Sequence, residues 1–244
     1  MKIRGSSTNS RDHQGPTEEG MGIWLRGHWL KSHWLNRSRR WPLGQWPFGQ
    51  SHLRLRPVAI YIALMHYPVY DRQQRVTATA LTTLDIHDVA RLARTYGLEG
   101  FYVVTPLRSQ QTLARRLIDH WVTGRGAEYN PLRKEALSLV RMAEDLEAVL
   151  TGIEQEQGRK AKTVATTARR YSDAQSYGEM KELLRAGGDA PYLILLGTGW
   201  GLTREVAEGA DYVLEPIEGK GYNHLSVRTA AAIILDRLLG GEAR

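Results

Sequence analysis

The chain of 244 residues contains no cysteine. That excludes disulfides, thiolate zinc sites and a cysteine nucleophile, and it suits an enzyme of a reducing compartment. Long apolar runs are missing too. The longest, Val58 to Met65, is far too short to span a bilayer, and no charged-then-apolar leader opens the chain. The expectation is a cytoplasmic protein without a membrane partner. Metal-ligand spacing is also absent: His66 at a strand end and His87 with Asp88 on a helix give no usual ligand pattern, so no metal is expected.

Most of the chain lacks net charge. Residues 1 to 56 hold 10 Lys/Arg against 3 Asp/Glu, whereas the remaining residues hold 23 of each, so the whole excess of +7 lies in the first quarter. Bulk charge therefore does not mark the body for nucleic acid, and RNA binding there would need local arginine patches.

That first quarter holds five of the seven tryptophans, at spacings of 5, 5, 7 and 5, which matches neither helix nor strand. Before them, Gly5 to Gly20 is rich in Ser, Thr, Asn and Gly. Residues 1–56 read as a disordered, basic, Trp-rich extension to a folded domain over 57–244. Interleaved Arg and Trp suit stacking on bases and neutralising phosphates. The same composition also suits translated upstream DNA ahead of a true start near Pro57.

From Pro57 the pattern alternates short apolar runs with amphipathic segments. Val58 to Met65, Gly100 to Thr105, Ser138 to Met142, Thr163 to Thr166, Tyr192 to Leu196 and Tyr212 to Leu214 read as buried strands. Asp85 to Tyr96, Ser109 to Val122, Glu144 to Gln157, Tyr177 to Arg185 and Leu225 to Leu239 read as helices, with Asp85, Ser109 and Ser176 as N-caps. Strand and helix alternating in this way predict an α/β fold: a parallel sheet covered on both faces, with ligands beyond the carboxyl ends of the strands.

Three loops follow strands there: ATTARR (165–170), GTGWG (197–201) and EPIEGKGYN (215–223). A dinucleotide-binding oxidoreductase is one reading of the second, with Glu215 as ribose ligand. Its third glycine comes one residue early for GxGxxG, and only about nine residues separate the loop from the next strand.

The stretch VLEPIEGKGYNHLSVRTAAAII (213–234) resembles the last motif of the SPOUT (SpoU and TrmD) superfamily of RNA methyltransferases, I-P-M-x-G then S-L-N-V-S then an Ala-rich helix. LDIHDVARLARTYGLEGFYVV (84–104) is similar to its first motif, with Asp85 at the Asn position and Arg91 at the Arg position. LLGTGWGL (195–202) is similar to the middle motif, G-x-E-G-x-G, shortened by one and without its Glu. With HYPVYD and GAEYNPLRKEAL, these resemble one narrower branch, the bacterial family often found beside TrmD. The match covers Pro57 to Gly240.

The resemblance implies a C-terminal deep trefoil knot, S-adenosylmethionine held among the knot loops, and a homodimer formed partly through the last helix. Carried onto this chain, the cofactor loops are Thr166, Thr167 and Ala168; Leu196, Gly197, Thr198, Gly199, Trp200 and Gly201; and Leu214, Glu215, Pro216, Ile217, Gly219, Asn223, His224, Leu225 and Ser226. Leu196, Ile217 and Leu225 suit adenine. Arg91 is the candidate for contact with RNA or the acceptor, and Glu215 or Asp85 for the base. Arg94, Arg169, Arg170, Tyr129 and Asn130 are the remaining RNA-contact candidates. Asn130 equally suits a helix cap before Pro131. The expected reaction is methyl transfer to a nucleotide of tRNA or rRNA. The alternative, raised by the missing Glu and by His224, Ser226 and Arg228 within the last motif, is a non-catalytic knotted RNA- or ribosome-binding factor that keeps the pocket.

Overall fold

A computed structural model describes residues 58–241. The expectations for residues 1–56 lie outside this range. Six parallel strands form one sheet in the order β5-β4-β1-β7-β6-β8. They are β1 (Ile60–Met65), β4 (Gly100–Val104), β5 (Val140–Ala143), β6 (Lys162–Thr166), β7 (Tyr192–Gly197) and β8 (Tyr212–Leu214). Every run read as a strand is one.

Two-residue alternation sorts the strands' side chains onto two faces. Ile62 and Leu64 of β1, Phe101 and Val103 of β4, and Ile194 and Leu196 of β7 belong to one core. It is covered by α1 (Thr83–Thr95), α2 (Arg108–Val122), α4 (Pro131–Leu137), α6 (Tyr177–Ala186) and α8 (Val227–Leu239). Tyr61, Ala63, Met65, Tyr102, Val104, Leu193 and Leu195 form the other, under α5 (Leu146–Gln157) and α7 (Arg204–Glu208). Both faces are buried, so the central strands read as continuous apolar runs rather than alternating ones. A short α3 (Arg125–Tyr129) precedes α4.

Local chemistry fixes the helix ends. Ser176 caps α6 in a capping box with Glu179. Asn130 caps α4, its side chain accepting from the Arg133 N–H, with Pro131 in the first turn. At α1 the cap is Thr82, not Asp85: Asp85 sits in the first turn, where its N–H donates to Thr82 Oγ1. Ser109 lies inside α2, whose N-cap Leu107 makes no side-chain cap bond; Gln111 Nε2 instead reaches back to the Thr105 carbonyl at 2.8 Å.

A small antiparallel pair, β2 (Val69–Tyr70) and β3 (Val76–Thr77), leaves the main sheet after β1. Each strand has only two residues, too few for a periodic signal. Its importance lies in where it goes: Tyr70 exchanges backbone hydrogen bonds with the 197–201 loop, accepting from Trp200 N and donating to Gly201 O, both at 3.0 Å.

Candidate functional site

The carboxyl ends of β1, β7, β6 and β8 open into a cavity of about 650 Å³. His66 follows β1, Thr79 and Ala80 lie between β3 and α1, Asp85 and Tyr177 come from α1 and α6, and Thr166 to Arg169 end and follow β6. Gly197 to Leu202 follow β7, and Glu215, Ile217 and Asn223 to Val227 connect β8 to α8. Its volume and mixed lining suit a small organic ligand.

The glycine loop is shaped by contact, not only by flexibility. A Cβ on Gly197 would lie 2.5 Å from the Leu202 backbone nitrogen, so no other residue fits without moving the chain. Gly199, at φ +60°, passes so close to the β2–β3 hairpin that a Cβ would meet Thr79 Cγ2 at 2.9 Å and Tyr70 O at 3.0 Å. Backbone therefore forms this wall, and its shape is fixed because the Thr198, Trp200 and Gly201 N–H groups donate to the Met65, Tyr70 and Thr198 carbonyls.

Behind the loop runs a hydrogen-bond chain whose direction can be read. Thr198 Oγ1 donates its single proton to the Met65 carbonyl at 2.9 Å. Thr79 must then donate to Thr198, and Thr79 oxygen accepts from His66 Nδ1 at 3.0 Å. His66 thus carries its proton on Nδ1, and Nε2 is a buried lone pair without a hydrogen-bond partner among the described residues. Burial pushes this imidazole down to about 4, with the Asp85 carboxylate opposing the shift.

Two carboxylates belong to the cavity wall. Glu215 Oε1 accepts from the Tyr177 N–H at 3.0 Å, fastening β8 to the N-terminus of α6. Asp85 is 8% exposed and accepts from Thr82 Oγ1 through Oδ2 at 2.6 Å, while Oδ1 lies 3.2 Å from Arg228 Nε. Arg228 reaches on to Asp88 at 3.0 Å, so α8 is clasped to α1. At the rim Trp200, 48% exposed, tilts against His224 with ring centres 5.6 Å apart.

A family model described as SAM-dependent RNA methyltransferase matches residues 59–240. The chain belongs to this family. Its cofactor is S-adenosylmethionine and its reaction methyl transfer to RNA. The methyltransferase is 42% identical over 180 residues to an uncharacterized protein of Aquifex aeolicus, covering 73% of this chain and 87% of that one. It is 44% identical over 182 residues to a tRNA (guanine-N(1)-)-methyltransferase of Oleidesulfovibrio alaskensis, covering 74% of this chain but only 42% of the relative. The chain thus spans less than half the length of that relative. A putative methylase family protein from Neisseria gonorrhoeae, 16% identical, shares the fold with a TM-score of 0.51 over 81% of this chain and 87% of that one.

The cavity fits the methyltransferase's cofactor. S-adenosylmethionine supplies a sulfonium-bound methyl group, an apolar-faced adenine and hydrogen-bonding groups. Leu196, Ile217 and Leu225 supply apolar surface, Gly197, Gly199 and Gly201 leave the loop wall without side chains, and Asp85 and Glu215 supply negative charge. Thr166, Thr167, Ala168, Thr198, Gly201, Asn223, His224 and Ser226 line the same space. Leu214, Pro216 and Gly219 do not. Leu214 is buried in the core, and Gly219 turns so tightly that a Cβ would meet Tyr222 O at 2.2 Å.

The expected RNA contacts are spread out. Arg169 reaches the cavity rim, its guanidinium 5.0 Å over the Tyr70 ring. Arg170 pairs with Glu218 and belongs to a second, polar depression. Arg94 pairs with Glu135, and Asn130 is engaged as a cap. Arg91 is exposed and has no ion-pair partner among the described residues, and Tyr129 is 86% exposed. Thr79 and Tyr177 are cavity residues that the sequence reading did not place there. His66 lines the cavity as a polar residue just past β1, where ligands of such sheets bind. Among the described residues no metal cluster occurs, and no helix is long and apolar enough to cross a membrane.

Proposed function

We propose that this chain binds S-adenosylmethionine in the cavity at the ends of β1, β7, β6 and β8 and transfers its methyl group to a nucleotide of tRNA or rRNA. The observation that carries this reading is the convergence of three sequence-distant loops, after β6, β7 and β8, on one cavity. Leu196, Ile217 and Leu225 enclose the adenine, and the backbone of Gly197 to Gly201 and of Thr166 to Ala168 meets its edges. Leu214, Pro216 and Gly219 shape the third loop from behind. The loops belong to a deep trefoil knot, which the placement of β6 between β7 and β8 supports.

Arg91 contacts the RNA phosphate or the acceptor nucleotide, because it is exposed and has no ion-pair partner among the described residues. Arg94, Arg169 and Arg170 add phosphate contacts; the surface ion pairs of Arg94 and Arg170 cost little to exchange. Tyr129 offers a stacking face. Of the two carboxylates in the wall, Glu215 takes the acceptor proton, since both oxygens of Asp85 are engaged by Thr82 and Arg228. Exposed Trp200, Tyr222 and Leu225 beside the cavity support a homodimer that closes over it.

The test is calorimetry with S-adenosylmethionine followed by radiolabel transfer to RNA lacking the modification. The relatives named for tRNA make tRNA the first RNA to try. Cofactor binding with label in RNA is expected. Binding without transfer to any RNA would reassign the chain to a non-catalytic factor, and no binding would remove the cofactor site.

A further inference from the structure

Two departures from the superfamily's motif pattern face each other in this structure. Asp85 stands where the first motif carries Asn, and Arg228 stands where the last motif carries its second Ser. They are 143 residues apart in sequence, yet Arg228 Nε lies 3.2 Å from Asp85 Oδ1. In this chain the contact between the two motifs is an ion pair. The guanidinium also reaches Asp88 Oδ2 at 3.0 Å, so the clasp holds two carboxylates and one cation and keeps a negative excess.

Only one of these three side chains belongs to the cavity. Asp85 lines it, with its side chain 11% exposed, whereas Asp88 lies outside with its side chain 43% exposed. Among the lining residues the other formally charged groups are Glu215 and Arg169. Arg169 is drawn to the rim, bonded to Gln74 and stacked over Tyr70. His66, next to Asp85 electrostatically, is kept neutral by burial. The wall therefore carries more negative than positive charge, and its most enclosed charge is Asp85. A carboxylate so shielded from solvent acts on a ligand at far lower effective dielectric than an exposed one.

We propose that Asp85, positioned by Thr82 and Arg228, is a specificity-determining residue of the cofactor cavity: its carboxylate favours the cationic sulfonium donor over the demethylated product, whose sulfur is uncharged. The two ligands differ by one methyl group and one positive charge, so apolar contacts alone discriminate them weakly. A fixed negative charge in the wall discriminates by charge and loosens the product once the methyl group has left. This rests on the cofactor reading given above.

The experiment is calorimetric titration of the full chain with S-adenosylmethionine and with S-adenosylhomocysteine. Asp85→Asn is expected to lower the preference for the sulfonium ligand about fivefold, the size of one unit charge acting through a partly solvated wall, by weakening the donor and sparing the product. Asp88→Asn, which removes the solvated carboxylate of the same clasp, leaves the ratio within about twofold because solvent screens that charge. If Asp85→Asn does not fold, the double variant Asp85→Asn with Arg228→Ser removes both charges of the contact and is expected to show the same loss. An unchanged ratio in the folded variant, or an equal loss in Asp88→Asn, overturns the proposal while leaving the cofactor site intact. Failure of the unaltered chain to bind either ligand overturns both.

Discussion

Replacing His66 by Asn tests the proton order behind the glycine loop through stability alone. An Asn amide keeps a donor near the Nδ1 position for Thr79, but it neither titrates nor carries the Nε2 lone pair. In the folded protein the imidazole is lowered from 6.5 to about 4 by burial, against the pull of Asp85. A histidine with a depressed pKa takes up a proton on unfolding, so the folded state is undisturbed above 6.5 and loses stability as pH falls toward 4. Between pH 7 and pH 5 this one site removes about 2 kcal/mol, and about 3 kcal/mol by pH 4. Urea unfolding at pH 7 and pH 5 measures the loss, and His66→Asn should flatten that portion of the slope, other groups cancelling in the difference. Nuclear magnetic resonance of the ring should show no titration above pH 5. Equal slopes in the two proteins, or a ring that titrates near 6.5, would refute both the burial argument and the tautomer drawn from Thr198 and Thr79.

Further outcomes follow from other parts of the site. Gly197→Ala forces a Cβ against the Leu202 nitrogen and should destabilise by about 1–3 kcal/mol while weakening cofactor binding, whereas Gly178→Ala, inside α6 with its nearest neighbour 3.9 Å away, should melt at or slightly above the parent. Thermal melts and calorimetry read both, and a parent-like Gly197→Ala would show that the loop moves freely. Asn130→Ala removes the α4 cap and should cost about 1 kcal/mol without changing cofactor affinity, which the same two measurements check. Arg91→Ala should lower kcat/KM for RNA about 10- to 100-fold with calorimetric cofactor affinity unchanged; a matched fall in cofactor affinity would place Arg91 elsewhere.

Much of the fold could be read from periodicity because the sheet is buried on both faces. IYIALM and YLILLG announce themselves as apolar runs, and Ser176 with Glu179 announces a helix start. The misreadings share a cause. Asp85 and Ser109 have the right chemistry for caps, but which Ser, Thr or Asp caps a helix depends on where the backbone turns into it, and Thr82 and Leu107 occupy those turns. The β2–β3 hairpin is too short to carry a pattern and is held by bonds to a loop more than 120 residues further along the chain.

The site divides in the same way. Glycines after β7 and the Glu-Pro stretch after β8 pointed to ligand loops, since only backbone left bare by glycine allows close approach. What the sequence determined by itself is which residues are apolar, which are flexible and which carry charge, and so the strands, most helices and three candidate loops. Tertiary structure decided the pairings: Thr79 with Thr198, Asp85 with Arg228, Glu215 with the start of α6. These contacts join residues far apart in the chain, and their geometry is set by strand order, which no local pattern encodes.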